Sequence, residues 1–455
     1  MNLPNYFLAD QPAEATLTPS MITETCRELR RHRERHLLHR STSQIISVLA
    51  EAAHGWLRPD NPFRRLALES GPAVTGFPQA TLAHGLDEFF RLLTIENLHA
   101  LVVQELGHAQ RLDLPCATDA ERFARQSSIA TGPALLAHIT AGNIPVPALM
   151  SLVQGLLVRS AQFMKCARGA SLLPRLFAHS IYELEPRLGA CIEIAEWPGG
   201  TEPLEAALFA ESECVTATGS DEALTVIQRR LPQCVRFIGH GHRLSFGFIT
   251  RDVLAGFAAK QAASDAAEDV AAWNQMGCLS PHIFYVQSGG AVTPEGFADM
   301  LSAALHEKET ACPRGALGVE QSATIASRRE IYRMRAAAQT VDTRLWHSED
   351  STAWTVVYES DARFQTSCLN RFIYVKSVAN LTEVLQNAEP MRGRISTVGL
   401  AAQAHQATDL VTELARWGVT RVSPLGRMQR PLLTWRHDGR PALGDLVTWT
   451  NWEMA

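Results

Sequence analysis

The chain has 455 residues and a formal net charge of −5, from 42 Lys and Arg against 47 Asp and Glu. That length is too great for one core and calls for two or three domains, while the near balance of charge excludes nucleic acid as the main partner, which needs a strongly basic face. No run of about eighteen apolar residues occurs, so no membrane span is expected, and the opening MNLPNYFLADQPAEA lacks the basic-then-apolar order of a secretory signal, so a cytoplasmic protein is expected.

The segment ITETCRELRRHRERHLLHR (22–40) is basic and helix-forming. It reads as a solvated helix face, with a docking surface for an anionic partner as the lesser alternative. An apolar-periodic helix, SQIISVLAEAAHGWL (43–57), follows, and the Pro- and Gly-rich stretch 58–78 is a loop. From about residue 130 the chain alternates. Strand-like ALLAHI, AQFMKCA, CIEIAEW, CVTAT and CVRFIGHGHRLSFGFIT are separated by helical stretches such as LMSLVQGLLVRS and PLEAALFAES. Strands spaced by helices of this length make βαβ units and a largely parallel sheet.

After about 250 the alternation restarts. The helix AAKQAASDAAEDVAAWN leads into WNQMGCLSP (273–281), then strand HIFYVQS, with later strands at TAWTVVYES, RFIYVKSV and ISTVGLAA. The fold class is therefore α/β. Residues 1–250 read as a cofactor-binding domain with an N-terminal helical region, and 251–425 as a second domain carrying Cys278. Residues 426–455 form a segment returning to the first domain or making an oligomer contact. Ligands in such folds sit in a cleft between domains and at sheet switch points.

Nine cysteines are scattered along the chain without zinc spacing, so no metal is expected. Each is by default a small buried hydrophobe. Three other stretches carry chemistry. Thr218, Gly219 and Ser220 close a strand and open a helix, which suits a phosphate, although Ser220 as a plain N-cap explains the pattern equally well. Lys165 and Arg168 lie at a strand end where two cations suit a ribose and its phosphate, or a solvated turn. Asn143, in AGNIPVP, can donate to an oxyanion or form an Asx-turn. His240 and His242 flank Gly241; too few ligands accompany them for a metal, and local hydrogen bonding or a cofactor contact is preferred. His437 and Asp438, in TWRHDGRPAL, read as a turn.

In order, AGNIP, a strand ending in Lys, a strand ending in TGS, a Gly-rich turn and NQxxC resemble the aldehyde dehydrogenase superfamily, which binds its nicotinamide cofactor without GxGxxG. The chain is more similar still to the acyl-CoA reductases of the bioluminescence (LuxC) type, over 137–169, 237–248, WNQMGCLSP and 418–453. The resemblance implies two Rossmann-like domains with an active-site cleft between them. It also implies Cys278 as nucleophile, and Asn143 with the Cys278 backbone N–H as the oxyanion hole. Lys165 would meet the cofactor ribose and Gly219 and Ser220 the phosphates, with Arg168, Thr218 and Gly241 completing the cofactor site. NADPH is the implied cofactor. An acyl-CoA, an acyl-carrier or an acyl-synthetase is the implied donor, with an acyl-activating protein as partner and a homo-oligomer as assembly.

One departure decides the reaction. Hydrolytic members carry a glutamate after the strand preceding the catalytic domain, but here no carboxylate occurs from 234 to 251. Without that base the acyl-enzyme accepts a hydride rather than water. The second superfamily signature, EIFGP, which holds the nicotinamide ribose, should fall near 359–371, but this chain reads ESDARFQTSCLNR there, with Glu359 as the only glutamate. The expected function is NADPH-dependent reduction of an acyl thioester to the aldehyde through an acyl-cysteine. The alternatives are a cysteine acyltransferase or thioesterase, and a non-catalytic scaffold.

Overall fold

The short apolar runs beyond residue 130 become strands and the stretches between them become helices, as parallel pairing requires. The computed structural model describes residues 3–12, 14–142, 144–338 and 342–454. They divide into two units: one built from the chain up to Thr75, Leu82–Gly241 and Leu432 onward, the other from Gly76–Thr81 and His242–Pro431.

The first unit contains β1 (Gln126–Thr131), β2 (Leu135–Ile139), β3 (Ala161–Cys166), β4 (Ile192–Glu196), β5 (Cys214–Thr218) and β6 (Arg236–His240). Strands β2 to β6 form a parallel sheet in the order β4-β3-β2-β5-β6. The order reverses between β2 and β5, the doubly wound arrangement in which ligands lie beyond the carboxyl ends of the strands at the reversal.

The second unit contains β7 (Leu244–Ile249), β8 (Pro281–Gln287), β9 (Thr343–His347), β10 (Thr355–Glu359), β11 (Phe372–Val378), β12 (Ile395–Ala401) and β13 (Arg421–Pro424). Its sheet runs β13-β12-β7-β8-β11-β10-β9, parallel throughout except for the antiparallel edge strand β9. The boundary differs from the expected one at residue 250: Leu244–Ile249 is a central strand of the second sheet. Every residue of β7 is buried, and a strand buried on both faces belongs between two neighbours rather than at a domain's edge. Finally, β14 (Thr448–Glu453) belongs to the first unit and pairs antiparallel with β1. Arg236 holds the chain leading into it by donating to the carbonyls of Asp445 and Val447.

Most of the stretch 58–78, expected as a loop, is the helix Pro62–Thr75, and the basic helix departs from the expected solvated face. It runs Pro19–His32, buries Ile22, Cys26 and Leu29, and continues as a π-helical turn over Arg33–Leu37. Arg33 is itself buried, donating to the carbonyls of Arg159 and Gly132 at 2.7 and 3.2 Å. Arg30 pairs with Glu211 and Arg40 with Glu185. Arg27 and Arg31 stay exposed, so only part of the charge faces water. Among the described residues no helix is long and apolar enough to cross a membrane.

Close packing fixes the second sheet. A Cβ on Gly247 would lie 2.3 Å from Cδ1 of the fully buried Phe284 on the neighbouring strand. Gly247→Ala should therefore cost about 1–3 kcal/mol through overpacking. At about 2–4 °C per kcal/mol for a body of this size, scanning calorimetry should show the melting temperature fall by several degrees. An unchanged value would mean that Phe284 turns aside freely.

Candidate active site

At the carboxyl edge of the first sheet, a cavity opens at the reversal between β2 and β5, lined by Ile139, Thr140, Ala148, Ser151, Thr216 and Thr218. Beneath it lies a buried network that the sequence reading missed. His138 Nε2 is 2.9 Å from Gln162 Oε1, and Gln162 Nε2 donates to the Leu152 carbonyl. Because Gln162 presents an acceptor, His138 donates through Nε2 and accepts the Thr216 hydroxyl at Nδ1, 2.7 Å away. Burial holds the imidazole neutral and pulls its pKa down to about 4, against the contact with Gln162. The result is a fixed Thr216 hydroxyl at the cavity wall.

The sequence-predicted cofactor residues gather along this edge. Lys165 is buried on β3, with Nζ 5.9 Å from the centre of the Trp197 ring. Burial pulls its pKa below the ordinary lysine value, opposed by the charges of Glu205, Cys166 and Glu196. Arg168 is exposed on the turn that follows, where Glu196 accepts from the backbone N–H groups of Gly169 and Ser171. Gly169 has φ +77°, the left-handed conformation that glycine adopts most cheaply. Thr218 ends β5, and Gly219 N donates to the His240 carbonyl on β6. Ser220 caps the helix Asp221–Arg230 by accepting from Ala223 N at 3.2 Å, so its hydroxyl serves the cap. At Gly241 a Cβ would meet Asp221 Oδ1 at 2.3 Å, so a side chain there would displace that carboxylate. A switch-point cavity, a buried lysine and a helix opening directly after Thr218–Gly219–Ser220 fit a nicotinamide dinucleotide. Asn143 lies outside the described residues.

His240 and the C-terminal turn also meet. His240, His437 and Asp438 bring three ligand-type atoms within 4.8 Å of one another. The two imidazoles are stacked, with centroids 4.4 Å apart and 5° between their planes. A metal lies near the plane of each imidazole it binds, and two parallel, separated planes share no such point. The contact is local hydrogen bonding: Asp438 Oδ2 lies 3.2 Å from His240 Nδ1.

In the second unit, the approach to Cys278 is unusual. The helix Gly256–Ala271 ends and Trp273, Asn274 and Gln275 follow with φ of 50°, 51° and 64°. Three consecutive non-glycine residues in the left-handed region cost about 1–2 kcal/mol each, and such strain persists only where the surroundings over-determine it. Here they do. Asn274 Nδ2 donates to the Arg314 carbonyl, and the buried Gln275 amide donates to the carbonyls of Pro281 and Phe372 at 2.8 and 2.9 Å. A second left-handed run, Leu369–Asn370–Arg371, precedes β11. Thus NQ of NQxxC is the scaffold of the cysteine loop. The Cys278 carbonyl accepts from Ser245 Oγ at 2.8 Å, and Ser280 Oγ accepts from both Gly277 N and Gln429 Nε2. Cys278 remains partly exposed.

Glu359 is the only glutamate of the stretch where the superfamily signature was expected. It is buried on β10 opposite Lys376 on β11, with Oε2 3.3 Å from Lys376 Nζ and Oε1 2.8 Å from Arg335. A carboxylate committed to two cations in the sheet is an element of the fold.

The chain matches the family described as Acyl-CoA reductase (LuxC) over residues 37–449. It is 21% identical over 422 residues to the long-chain acyl-protein thioester reductase of Aliivibrio fischeri, covering 90% of this chain and 82% of that protein. The same enzyme of Photorhabdus laumondii is 21% identical, with the same coverages. Among solved structures it resembles a mutant of the P. syringae indole-3-acetaldehyde dehydrogenase AldA in complex with NAD+ and IAA. That match has a TM-score of 0.73 and 16% identity, over 96% of this chain and 89% of that one. It also resembles an NAD-dependent benzaldehyde dehydrogenase from Corynebacterium glutamicum, with a TM-score of 0.69 and 12% identity. The fold is that of the aldehyde dehydrogenases, and the chain belongs to the acyl-CoA reductase (LuxC) family.

Proposed function

We propose that the protein reduces an acyl thioester to the aldehyde, with NADPH as reductant and Cys278 as the residue that carries the acyl group. The observation that carries this reading is the setting of Cys278: a partly exposed thiol on a loop whose backbone is strained on one side and hydrogen-bonded on the other. Such a loop holds a nucleophile still. The Cys278 thiolate attacks the thioester carbonyl, forming a C–S bond. Collapse expels the donor thiolate, which takes a proton. Asn143 and the Cys278 backbone N–H are proposed to stabilise the oxyanion, a contribution of about 3–4 kcal/mol for one such donor.

A nicotinamide dinucleotide, when bound, supplies hydride to the acyl carbon. The resulting thiohemiacetal expels Cys278 as thiolate and releases the aldehyde. Hydrolysis is disfavoured because no carboxylate occurs from 234 to 251 to activate water. For the cofactor, Lys165 is proposed to hold the ribose and Arg168, exposed on its fixed turn, to pair with a 2′-phosphate. The donor is proposed to be a long-chain acyl group on CoA or on a protein, as the names of the family and of its members suggest.

Anaerobic incubation with acyl-CoA of several lengths, followed by intact-protein mass spectrometry, tests the reading. An acyl adduct should map to Cys278 and leave as aldehyde when NADPH is added. Cys278→Ala should abolish both adduct and turnover while NADPH still binds; a variant keeping most of its turnover would sink the nucleophile assignment. An adduct decaying to free acid without cofactor would establish a thioesterase instead.

The Lys165 assignment has a pH signature. Its ammonium is charged below its pKa, and burial lowers that pKa from 10.5. NADPH affinity should therefore weaken as pH rises, starting at lower pH than a surface lysine would give. In fluorescence titrations Lys165→Met should bind on the order of tenfold more weakly, about 1.4 kcal/mol, with the alkaline slope gone. A slope that survives the substitution assigns it to another group.

A further inference from the structure

Cys278 is tied to a row of side chains that crosses four adjacent strands. Arg421 on β13 is in register with Thr397 on β12, Thr397 with Ser245 on β7, and Ser245 with Pro281 at the start of β8. Partners in register in a parallel sheet place their side chains on one face, and here the three polar ones are linked. Arg421 Nη1 donates to Thr397 Oγ1 at 3.4 Å, Thr397 N donates to Ser245 Oγ at 3.2 Å, and Ser245 Oγ donates to the Cys278 carbonyl at 2.8 Å. Thr397 and Ser245 are wholly buried, so the row cannot exchange its partners for water.

The same guanidinium organises the turn beyond β13. It donates to the Met428 carbonyl at 2.6 Å and the Arg427 carbonyl at 3.0 Å. From the other side, the buried Asp269 of the helix Gly256–Ala271 accepts from Gly426 N and Met428 N at 2.6 and 2.9 Å. Gln429, next along, reaches Ser280 in the cysteine loop. Arg421 therefore touches the loop's supports along two routes: through Thr397 and Ser245 to the Cys278 carbonyl, and through the 426–429 turn to Ser280.

From this juxtaposition we propose that Arg421 is a positioning residue for Cys278, fixing its loop and supplying the positive charge that keeps the thiol ionised. The proposal rests on the reading of Cys278 as the acyl acceptor. Burial pulls the Arg421 pKa down to about 10, while Asp269 and Cys278 favour its cation. A thiolate that stabilises a guanidinium is stabilised by it in return. Thiols beside Arg or Lys ionise more readily, and the thiolate is the attacking form. Around the row lie further ionisable groups: Asp269, with Glu268 and Asp265 beside it, and two histidines. Burial raises the Asp269 carboxyl to about 7 against its two backbone donors, and burial, with His242 beside it, holds His282 neutral with a pKa of about 4. Asp269 and Arg421 favour one another's charged forms, so the Arg421→Lys variant, which keeps the cation, separates the arginine's charge from a change at its neighbour.

The test measures iodoacetamide alkylation of Cys278 against pH by peptide mass spectrometry, alongside acyl-adduct formation from acyl-CoA. In Arg421→Met the alkylation midpoint should move up by about one pH unit, and acylation near neutral pH should slow on the order of tenfold, the corresponding loss of thiolate. Arg421→Lys should keep the midpoint while acylating more slowly, because an ammonium cannot fork to two carbonyls. Ser245→Ala should slow acylation without moving the midpoint. Should Arg421→Met fail to fold, Arg421→Gln, neutral but still a donor, carries the same comparison. Coincident midpoints for wild type and the neutral variant would overturn the proposal even if activity fell. If wild-type Cys278 is alkylated but no acyl thioester acylates it, the reading of the cysteine fails instead, and the midpoint shift still decides the role of Arg421.

Discussion

Six residues held in the left-handed region, Trp273–Gln275 and Leu369–Arg371, are the constraint on which the chemistry proposed for Cys278 depends. Each costs energy that the local sequence does not return. The two runs stabilise one another through Gln275, whose amide donates to Phe372 O and to Ser367 Oγ at 3.2 Å. Arg371 is fully buried, with its guanidinium on Glu309 and on the Cys312 carbonyl. Together the two runs set the direction of the chain entering Cys278, and pre-set geometry of this kind is what the proposed attack by its thiol requires.

The alternation of strand and helix was legible because each strand is a short apolar run and each crossover a long one. Periodicity is a local property, and the α/β class follows from it. What escaped was non-local. Strand β14 is exposed along its whole length, so no hydrophobic pattern marks it, and its partner β1 lies more than three hundred residues earlier. The basic helix was misjudged for the same reason: Arg33 is buried because two backbone carbonyls far along the chain accept from it, and backbone acceptors leave no trace in a sequence.

The site divides similarly. Cys278, Lys165 and the strand-end glycines stood out by residue type at a predicted junction. His138 lay within a run read as apolar, and its partners Gln162 and Thr216 are 24 and 78 residues away. Arg421 looked like an ordinary strand residue until β13 was placed beside β12. Ser220 shows the converse, since the plain N-cap reading and the site reading named the same residue, and the hydroxyl in fact makes the cap.

The first unit is discontinuous: it takes in the chain from Leu432 onward, while the second is nearly continuous from His242 to Pro431. On a ribosome the second unit can therefore complete its sheet while the last strand of the first is still unmade. Strand β1 must wait for β14, and Arg236 for the carbonyls of Asp445 and Val447. Domains fold as units during synthesis, and exposed strand edges invite wrong pairing. Nascent chains of this protein thus hold an unpaired β1 edge until Thr448–Glu453 has emerged, a window in which chaperones would find their binding surface.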